Sequence, residues 1–555
     1  MLIIVPMSGF GERFRKAGHL LPKPLIMVDG RPIISYVIDL FPGESNFLFV
    51  CNQEHLDNPN YRMRETLQSL CPTGKVTGIA PHKFGPVYAV MQVIDQLSNN
   101  EAVIVNYCDF SCYWDWKHFK KFVISSQCDG AIPAYKGFHP HSLGATNYAY
   151  LKESEGWVST IQEKKPFTLN RMHEYASSGT YYFSSVELMH DAFSNVIAND
   201  LNVGGEFYVS LAYNPLLAQG KHIAVYPIQH FMQWGTPEDL GEYQHWSDVF
   251  KRLISPLNIK EVSGATIIPM AGLGKRFADE GYAYTKPLIP VSGQSMASQA
   301  INDLPNTQDH CFILRSDMPG VESVCEELLR KYPNALIPMV DNLTQGQACT
   351  AEIGLKALCD AKRINAQSPI LFGACDNGVL FNAEKYLAML NDPMIDVIVW
   401  GVRGHPNAVR HPHMFGWIGV DDMGLIQEIS VKQPLANPRS DPIVIGTFSF
   451  KRAGDAQRAI THLIERNGLI NGEFYLDSCI NDAIAMGLRC AVFEIDAYIS
   501  WGTPNELRTF EYWQSCFSKW ALHPYELKLD AHIPSHKVAE LTSHYQAILP
   551  AIPLQ

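Results

Sequence analysis

Short apolar runs alternate along this chain with longer stretches whose apolar positions recur at helical spacing. Residues 2–5, 46–50 and 102–106 are dominated by Ile, Val, Leu and Phe and read as strands; 33–40 and 88–97 read as helices. That alternation predicts an α/β fold built on a largely parallel sheet covered on both faces. Ligands of such sheets sit beyond the carboxyl ends of the strands, so the loops after the strands hold the candidate chemistry.

The pattern then repeats. Pro6-Met7-Ser8-Gly9-Phe10-Gly11-Glu12-Arg13-Phe14 returns as Pro269-Met270-Ala271-Gly272-Leu273-Gly274-Lys275-Arg276-Phe277, and Lys23-Pro24-Leu25-Ile26 as Lys286-Pro287-Leu288-Ile289, both shifted by 263 residues. Cys108-Asp109 returns as Cys375-Asp376, Gly179-Thr180 as Gly446-Thr447, Gly205-Glu206-Phe207-Tyr208 as Gly472-Glu473-Phe474-Tyr475, and Trp234-Gly235-Thr236-Pro237 as Trp501-Gly502-Thr503-Pro504, all shifted by 267. So constant a shift predicts a tandem duplication. The expected domains are 1–254 and 262–515, with a linker at 255–260 and a motif-free tail at 516–555.

Bulk properties narrow the function. The 555 residues are 46% hydrophobic and 18% charged, ordinary for globular protein. A formal net charge of −12 argues against a nucleic-acid partner, while leaving room for a nucleotide held by two or three local cations. Thirteen cysteines fall without C-x-x-C spacing, which suits free thiols in a reducing compartment. No signal peptide and no membrane span is expected, and the reading is a cytoplasmic protein.

In the loop after the first strand, Ser8, Gly9 and Gly11, and in the second copy Ala271, Gly272 and Gly274, can turn successive backbone N–H groups toward one anion. Arg13 and Arg276 follow, each able to fork two phosphate oxygens. The dinucleotide fingerprint is excluded because Phe14 and Phe277 stand where a third glycine is needed. The Walker loop is excluded because Gly274-Lys275-Arg276 breaks it. Asp109 and Asp376 each follow an apolar run, where a carboxylate beside an anion nest can hold magnesium.

Gly-x-Gly-x-Arg followed by Lys-Pro-Leu (Gly9, Gly11, Arg13, Lys23, Pro24 and Gly272, Gly274, Arg276, Lys286, Pro287) resembles the signature of nucleoside-diphosphate-sugar pyrophosphorylases, the sugar-phosphate nucleotidyltransferases. The resemblance runs through nearly all of both copies and implies two Rossmann-like domains with mixed, mainly parallel sheets. It further implies transfer of a nucleotidyl group from an NTP to a sugar or polyol phosphate, with Mg2+ and release of pyrophosphate. Arg13 and Arg276 would hold the β- and γ-phosphates, and Lys23 and Lys286 would neutralise charge at the α-phosphate. Asp109 and Asp376 occupy the family's metal position.

Other positions are carried over in the same way. Glu163 and Lys164 resemble the family's acceptor segment, with Lys432 in the differently spaced second copy. Gly179, Glu206, Gly446 and Glu473 match positions that face the sugar. Gly85, Gln345 and Gly346 occupy the base-reading loop, where Phe84 replaces the usual glutamine of the first copy. Base and acceptor are therefore expected to differ between copies, in a bifunctional enzyme. Resemblance to capsule-type cytidylyl- and thymidylyltransferases favours pyrimidine NTPs and a product used for surface polysaccharide. The rival reading makes one copy a silent nucleotide-binding regulatory domain.

One departure stands out. The family's second metal carboxylate is replaced by Gln233 and Ser500, and Asp496 is the nearest substitute in the second copy. The pairs His139/His141 and His411/His413 lack companion ligands and are expected to be loop or acceptor-pocket histidines rather than a metal site.

Overall fold

The computed structural model describes residues 1–145, 147–255 and 261–547. The expected linker at 255–260 lies outside the described residues except for Ser255, as do residues 548–555. The chain divides into two compact units. Unit 1 comprises Met1–Ser247, Ser515–His523 and the stretch from Ser543; unit 2 comprises Asp248–Gln514 and Pro524–Thr542. The two main boundaries fall inside the helices Pro237–Leu253 and Pro504–Lys519.

Among the described residues, unit 1 is built on a ten-stranded mixed sheet. Its first strand, Leu2–Met7, is buried throughout and lies parallel to Phe47–Asn52 on one side and Val103–Asn106 on the other. Alternation sends Ile3 and Val5 into the core on one face, and Leu2 and Ile4 into the core on the other. Beyond Val103–Asn106 the sheet turns mixed, because Thr180–Phe183 pairs antiparallel with it.

Unit 2 repeats the plan on a nine-stranded sheet among the described residues. Its first strand, Glu261–Pro269, sends Ala265 and Ile267 to one core and Ile268 to the other. From Lys75–Ile79 to Ile223–Pro227 in unit 1, and from Met339–Val340 to Cys490–Glu494 in unit 2, seven strands follow the same spatial order. The fold is α/β in both halves, with mixed sheets whose central strands are parallel.

The stretch 516–555, expected as a separate tail, is shared between the units where described. Aromatic and ionic partners explain the split. Trp520 packs in unit 1 with ring centroids 5.6 Å from Tyr36 and 6.1 Å from Tyr243. In unit 2, buried His532 lies 3.1 Å from Asp303 and 3.0 Å from Asp530. No helix among the described residues is long and apolar enough to cross a membrane.

Candidate active site

Each first strand runs into its glycine loop and then into a one-turn helix, Glu12–Lys16 or Lys275–Asp279. The residue before each helix, Gly11 at φ 64° and Gly274 at φ 60°, is left-handed, which explains glycine there. The loop leans on the following Lys-Pro segment. A Cβ on Gly274 would stand 3.1 Å from the Lys286 Cβ, and one on Gly11 would stand 3.9 Å from the Lys23 Cβ. Arg13 and Arg276 are exposed, whereas Ser8 and Ala271 are buried. The Ser8 carbonyl accepts from Asn52 at 3.4 Å, and the Ala271 carbonyl accepts from Arg315 at 2.8 Å. Gly9 and Gly272 have open space at the Cβ position.

Both lysines reach the strand-end aspartates. Lys23 Nζ donates to Asp109 Oδ2 at 2.8 Å, and Lys286 Nζ donates to Asp376 Oδ2 at 2.6 Å. Burial alone would lower each lysine's pKa, but the adjacent carboxylate outweighs it and the pKa rises, so both remain ammonium ions. Asp109 and Asp376 are fixed from behind by backbone. Their carbonyls accept from Trp234 N–H at 2.9 Å and Trp501 N–H at 2.8 Å.

The antiparallel ladders set what stands beside each aspartate. Gln233 lies opposite Phe110, and Ser500 lies opposite Asn377. A Cβ on Gly235 would come within 2.8 Å of Gln233 Nε2 and 3.0 Å of Asp109 Oδ2. An amide and a hydroxyl thus occupy the place of a second carboxylate. Asp496 does not fill it. Its N–H bonds to the Leu380 carbonyl at 2.8 Å, at the far end of the Asn377–Leu380 ladder, and its carboxylate lies 3.9 Å from Arg252. Asp109 in unit 1, and in unit 2 Asp376 with Glu506 near it (a Cβ on Gly502 would lie 3.2 Å from Asp376 Oδ2 and 3.4 Å from Glu506 Oε2), are hard oxygen donors beside the glycine loop that fit magnesium of the kind that shares its remaining positions with phosphates and water. Among the described residues no group of three His, Cys, Asp or Glu could hold a metal by itself.

Gly85 and Gly346, expected to lie in a base-reading loop, are clipped by backbone to the Gly-Glu-Phe-Tyr repeat. Phe207 N–H bonds to the Phe84 carbonyl at 2.8 Å, and Val87 N–H bonds back to Phe207 at 3.1 Å. In unit 2, Phe474 N–H bonds to the Gln345 carbonyl at 2.9 Å and Ala348 N–H returns to Phe474 at 3.0 Å. Gly85 (φ 85°) and Gly346 (φ 120°) permit this approach; a Cβ would meet Phe207 backbone at 2.8 Å and Phe474 backbone at 2.6 Å.

Among the residues expected to meet the acceptor in unit 1, Tyr208 donates to Glu206 and receives from Lys164, while Ser210 donates to Glu163 Oε2 at 2.5 Å. Burial pushes the Glu163 carboxyl up to about 7, against the Ser210 hydrogen bond and the Lys164 charge. In unit 2 the charges of Asp477, Arg276 and Glu473 all act on Lys432, whose pKa burial lowers. A Cβ on Gly446 would sit 3.5 Å from Ala374, two residues before Asp376.

One cleft of about 570 Å³ in unit 1 brings together Ser8, Gly9, Gly11, Arg13, Lys23, Gly85, Asp109, Glu163, Lys164, Gly179 and Glu206. Tyr208 and His82, which sequence reasoning missed, line it too. His82 accepts from Phe84 N–H at 3.2 Å through Nδ1, so its hydrogen is on Nε2, which meets Ser8 Oγ at 3.1 Å. A signal for the tyrosine existed, since Tyr208 and Tyr475 end the same repeated motif; His82 has none. His139 and His141 are buried in an aromatic cluster with Tyr135, and burial pushes His139 down to about 4. His411 and His413 are exposed.

No family profile and no curated protein matches this chain. Among solved structures, the nucleoside-diphosphate-sugar pyrophosphorylase from Vibrio cholerae RC9 is similar at 20% identity, over 44% of this chain and 98% of its own, with a TM-score of 0.37. A UDP-glucose pyrophosphorylase complexed with UDP-glucose is similar at 16%, over 45% and 100%, with 0.36. The inositol-1-phosphate CTP transferase from T. maritima is similar at 12%, over 48% and 100%, with 0.35.

Proposed function

We propose that each unit transfers a nucleotidyl group from an NTP to a sugar or polyol phosphate. The observation that carries this reading is the repeated ammonium–carboxylate pair, Lys23–Asp109 and Lys286–Asp376, set against a glycine loop and a turn with an exposed arginine. Arg13 and Arg276 grip the outer phosphates, and Lys23 and Lys286 neutralise charge at the α-phosphate. The acceptor's phosphate oxygen forms a bond to the α-phosphorus as the bond to the bridging β-phosphate oxygen breaks, and pyrophosphate departs. An anionic phosphate oxygen needs no deprotonation, so no general base is required. Magnesium on Asp109 or Asp376, shared with the triphosphate, would supply further charge neutralisation.

Persistence of the pair in both units supports two active sites over one silent copy. Pyrimidine NTPs in the cytoplasm, and products of the kind used for surface polysaccharide, complete the reading. The test is pyrophosphate release by the full chain with CTP, UTP, dTTP, ATP and GTP against a panel of sugar 1-phosphates and polyol phosphates. Release with at least one pair is expected, and it is lost in the Lys23→Ala/Lys286→Ala double variant. Equal release by that double variant would refute the mechanism.

A further inference from the structure

The acceptor ends of the two units differ by a coordinated exchange of three residues. The correspondence is set by backbone rather than by counting. Asn214 brackets Ile161, accepting from its N–H at 3.2 Å and donating to its carbonyl at 3.1 Å; Asn481 brackets Ile429 at 2.7 and 2.9 Å. Three residues further on, Lys164 (φ 58°) and Lys432 (φ 62°) are both left-handed. They bond through their N–H to Tyr148 at 2.9 Å and Phe415 at 3.0 Å. Lys432 is therefore the counterpart of Lys164, and Val431 the counterpart of Glu163. The facing strand agrees, for Glu163 pairs with Ala149 and Val431 pairs with Gly416.

So unit 2 has lost the strand carboxylate to valine. It has gained one on a helix: Asp477, at the head of Leu476–Ala485, stands where unit 1 has Ser210. The third change makes room for it. A Cβ on Gly416 would lie 2.5 Å from Asp477 Oδ2, so the alanine of unit 1 would push the new carboxylate out of this position. Asp477 lies near enough to Lys432 and Tyr475 for its charge to act on both, and Arg276 of the glycine loop acts on the same two residues, so the carboxylate stands on the side that faces that loop. Glu428, the glutamate nearest in sequence to Lys432, is exposed instead.

We propose that Asp477 binds acceptor hydroxyls in unit 2 as Glu163 does in unit 1, and that its approach from the helix rather than the strand makes the two units select different acceptor phosphates. This rests on the nucleotidyl-transfer reading above. A carboxylate takes hydroxyl hydrogen bonds strongly and directionally, so moving its anchor changes which hydroxyl it meets.

The test uses the full chain in two backgrounds, Lys23→Ala to report unit 2 and Lys286→Ala to report unit 1. Glucose 1-phosphate, mannose 1-phosphate and glycerol 3-phosphate serve as acceptors with each NTP. In the Lys23→Ala background, Asp477→Asn should raise the acceptor KM about tenfold or more while the NTP KM stays within twofold. The triple change Gly416→Ala/Val431→Glu/Asp477→Ser rebuilds the unit 1 arrangement and should move the acceptor order of unit 2 toward that of unit 1. An acceptor KM within twofold for Asp477→Asn, or an equal rise in NTP KM, overturns this proposal and leaves the broader reading intact. No pyrophosphate from the unmutated chain with any pair overturns both.

Discussion

At their phosphate ends the two units are close to interchangeable, whereas at their acceptor ends they are built from different residues. Gly11 and Gly274 share a left-handed turn, Lys23 and Lys286 meet their aspartates at 2.8 and 2.6 Å, and even the second-carboxylate position is vacated in both. At the other end Glu163, Ser210 and Ala149 give way to Val431, Asp477 and Gly416. On the proposed function, the contrast follows from what each end would recognise. A triphosphate presents the same charges to any site, so its partners are constrained together. An acceptor offers hydroxyls whose number and direction vary, so that end can drift, provided each buried carboxylate keeps room and a partner.

The sharpest way to break the comparison is at the part claimed to be shared. Lys23→Ala should reduce pyrophosphate release by unit 1 about 10²–10³-fold, and Lys286→Ala should do the same for unit 2. Each single variant should retain the other unit's acceptor profile, read by assaying each against the full acceptor panel. If one of the two single variants abolishes all release, only that unit works and the other is a binding module.

A smaller effect probes the base-loop clip. Gly85→Ala and Gly346→Ala each force a Cβ to within 2.8 or 2.6 Å of backbone at positive φ. Thermal melting should show each destabilised by about 1–3 kcal/mol. Gly204→Ala supplies the control, since its φ is 64° but nothing lies within 4 Å of the added carbon; it should cost about 1 kcal/mol or less. Equal losses at all three positions would mean that the clip adds nothing beyond the turn.

The alternation of apolar runs was enough to locate the framework. The strands read at 2–5 and 102–106 fall on Leu2–Met7 and Val103–Asn106, and the helix read at 33–40 falls on Ile33–Asp39. These elements are buried on repeating faces, which is what periodicity reports. The helix read at 88–97 breaks into Gly85–Met91 and a short 3-10 turn at Ile94–Gln96, because no pattern of side chains marks where a helix tightens. Repeated motifs located the glycine loops, the lysines and the aspartates, and the structure then joined each lysine to its aspartate. The carboxylate exchange was hidden, because Glu163 and Asp477 stand on elements far apart in sequence and align only through strand register. Trp520 was hidden because Tyr36 and Tyr243 are remote in sequence, and His532 because Asp303 is, although its other partner, Asp530, is only two residues away.

The smallest expected effect is the one that most directly separates the acceptor ends. Burial holds the Glu163 carboxyl at about 7 despite Ser210 and Lys164, with Glu206 adding to the rise. Burial holds Asp477 at about 6 despite the Lys432 charge. A carboxyl is charged above its pKa, so the carboxylate that receives acceptor hydroxyls is lost as pH falls, through about 7 in unit 1 and about 6 in unit 2. Acceptor kcat/KM, measured in the Lys286→Ala and Lys23→Ala backgrounds, should therefore fall on acidification about one pH unit earlier for unit 1. At pH 6 that separation leaves unit 2 roughly fivefold better preserved relative to its plateau. Ser210→Ala removes a hydrogen bond that favours the charged Glu163 and should push the unit 1 midpoint higher, with unit 2 unmoved. Coincident midpoints in the two backgrounds would place the titrating group on the shared phosphate chemistry instead of on these two carboxylates.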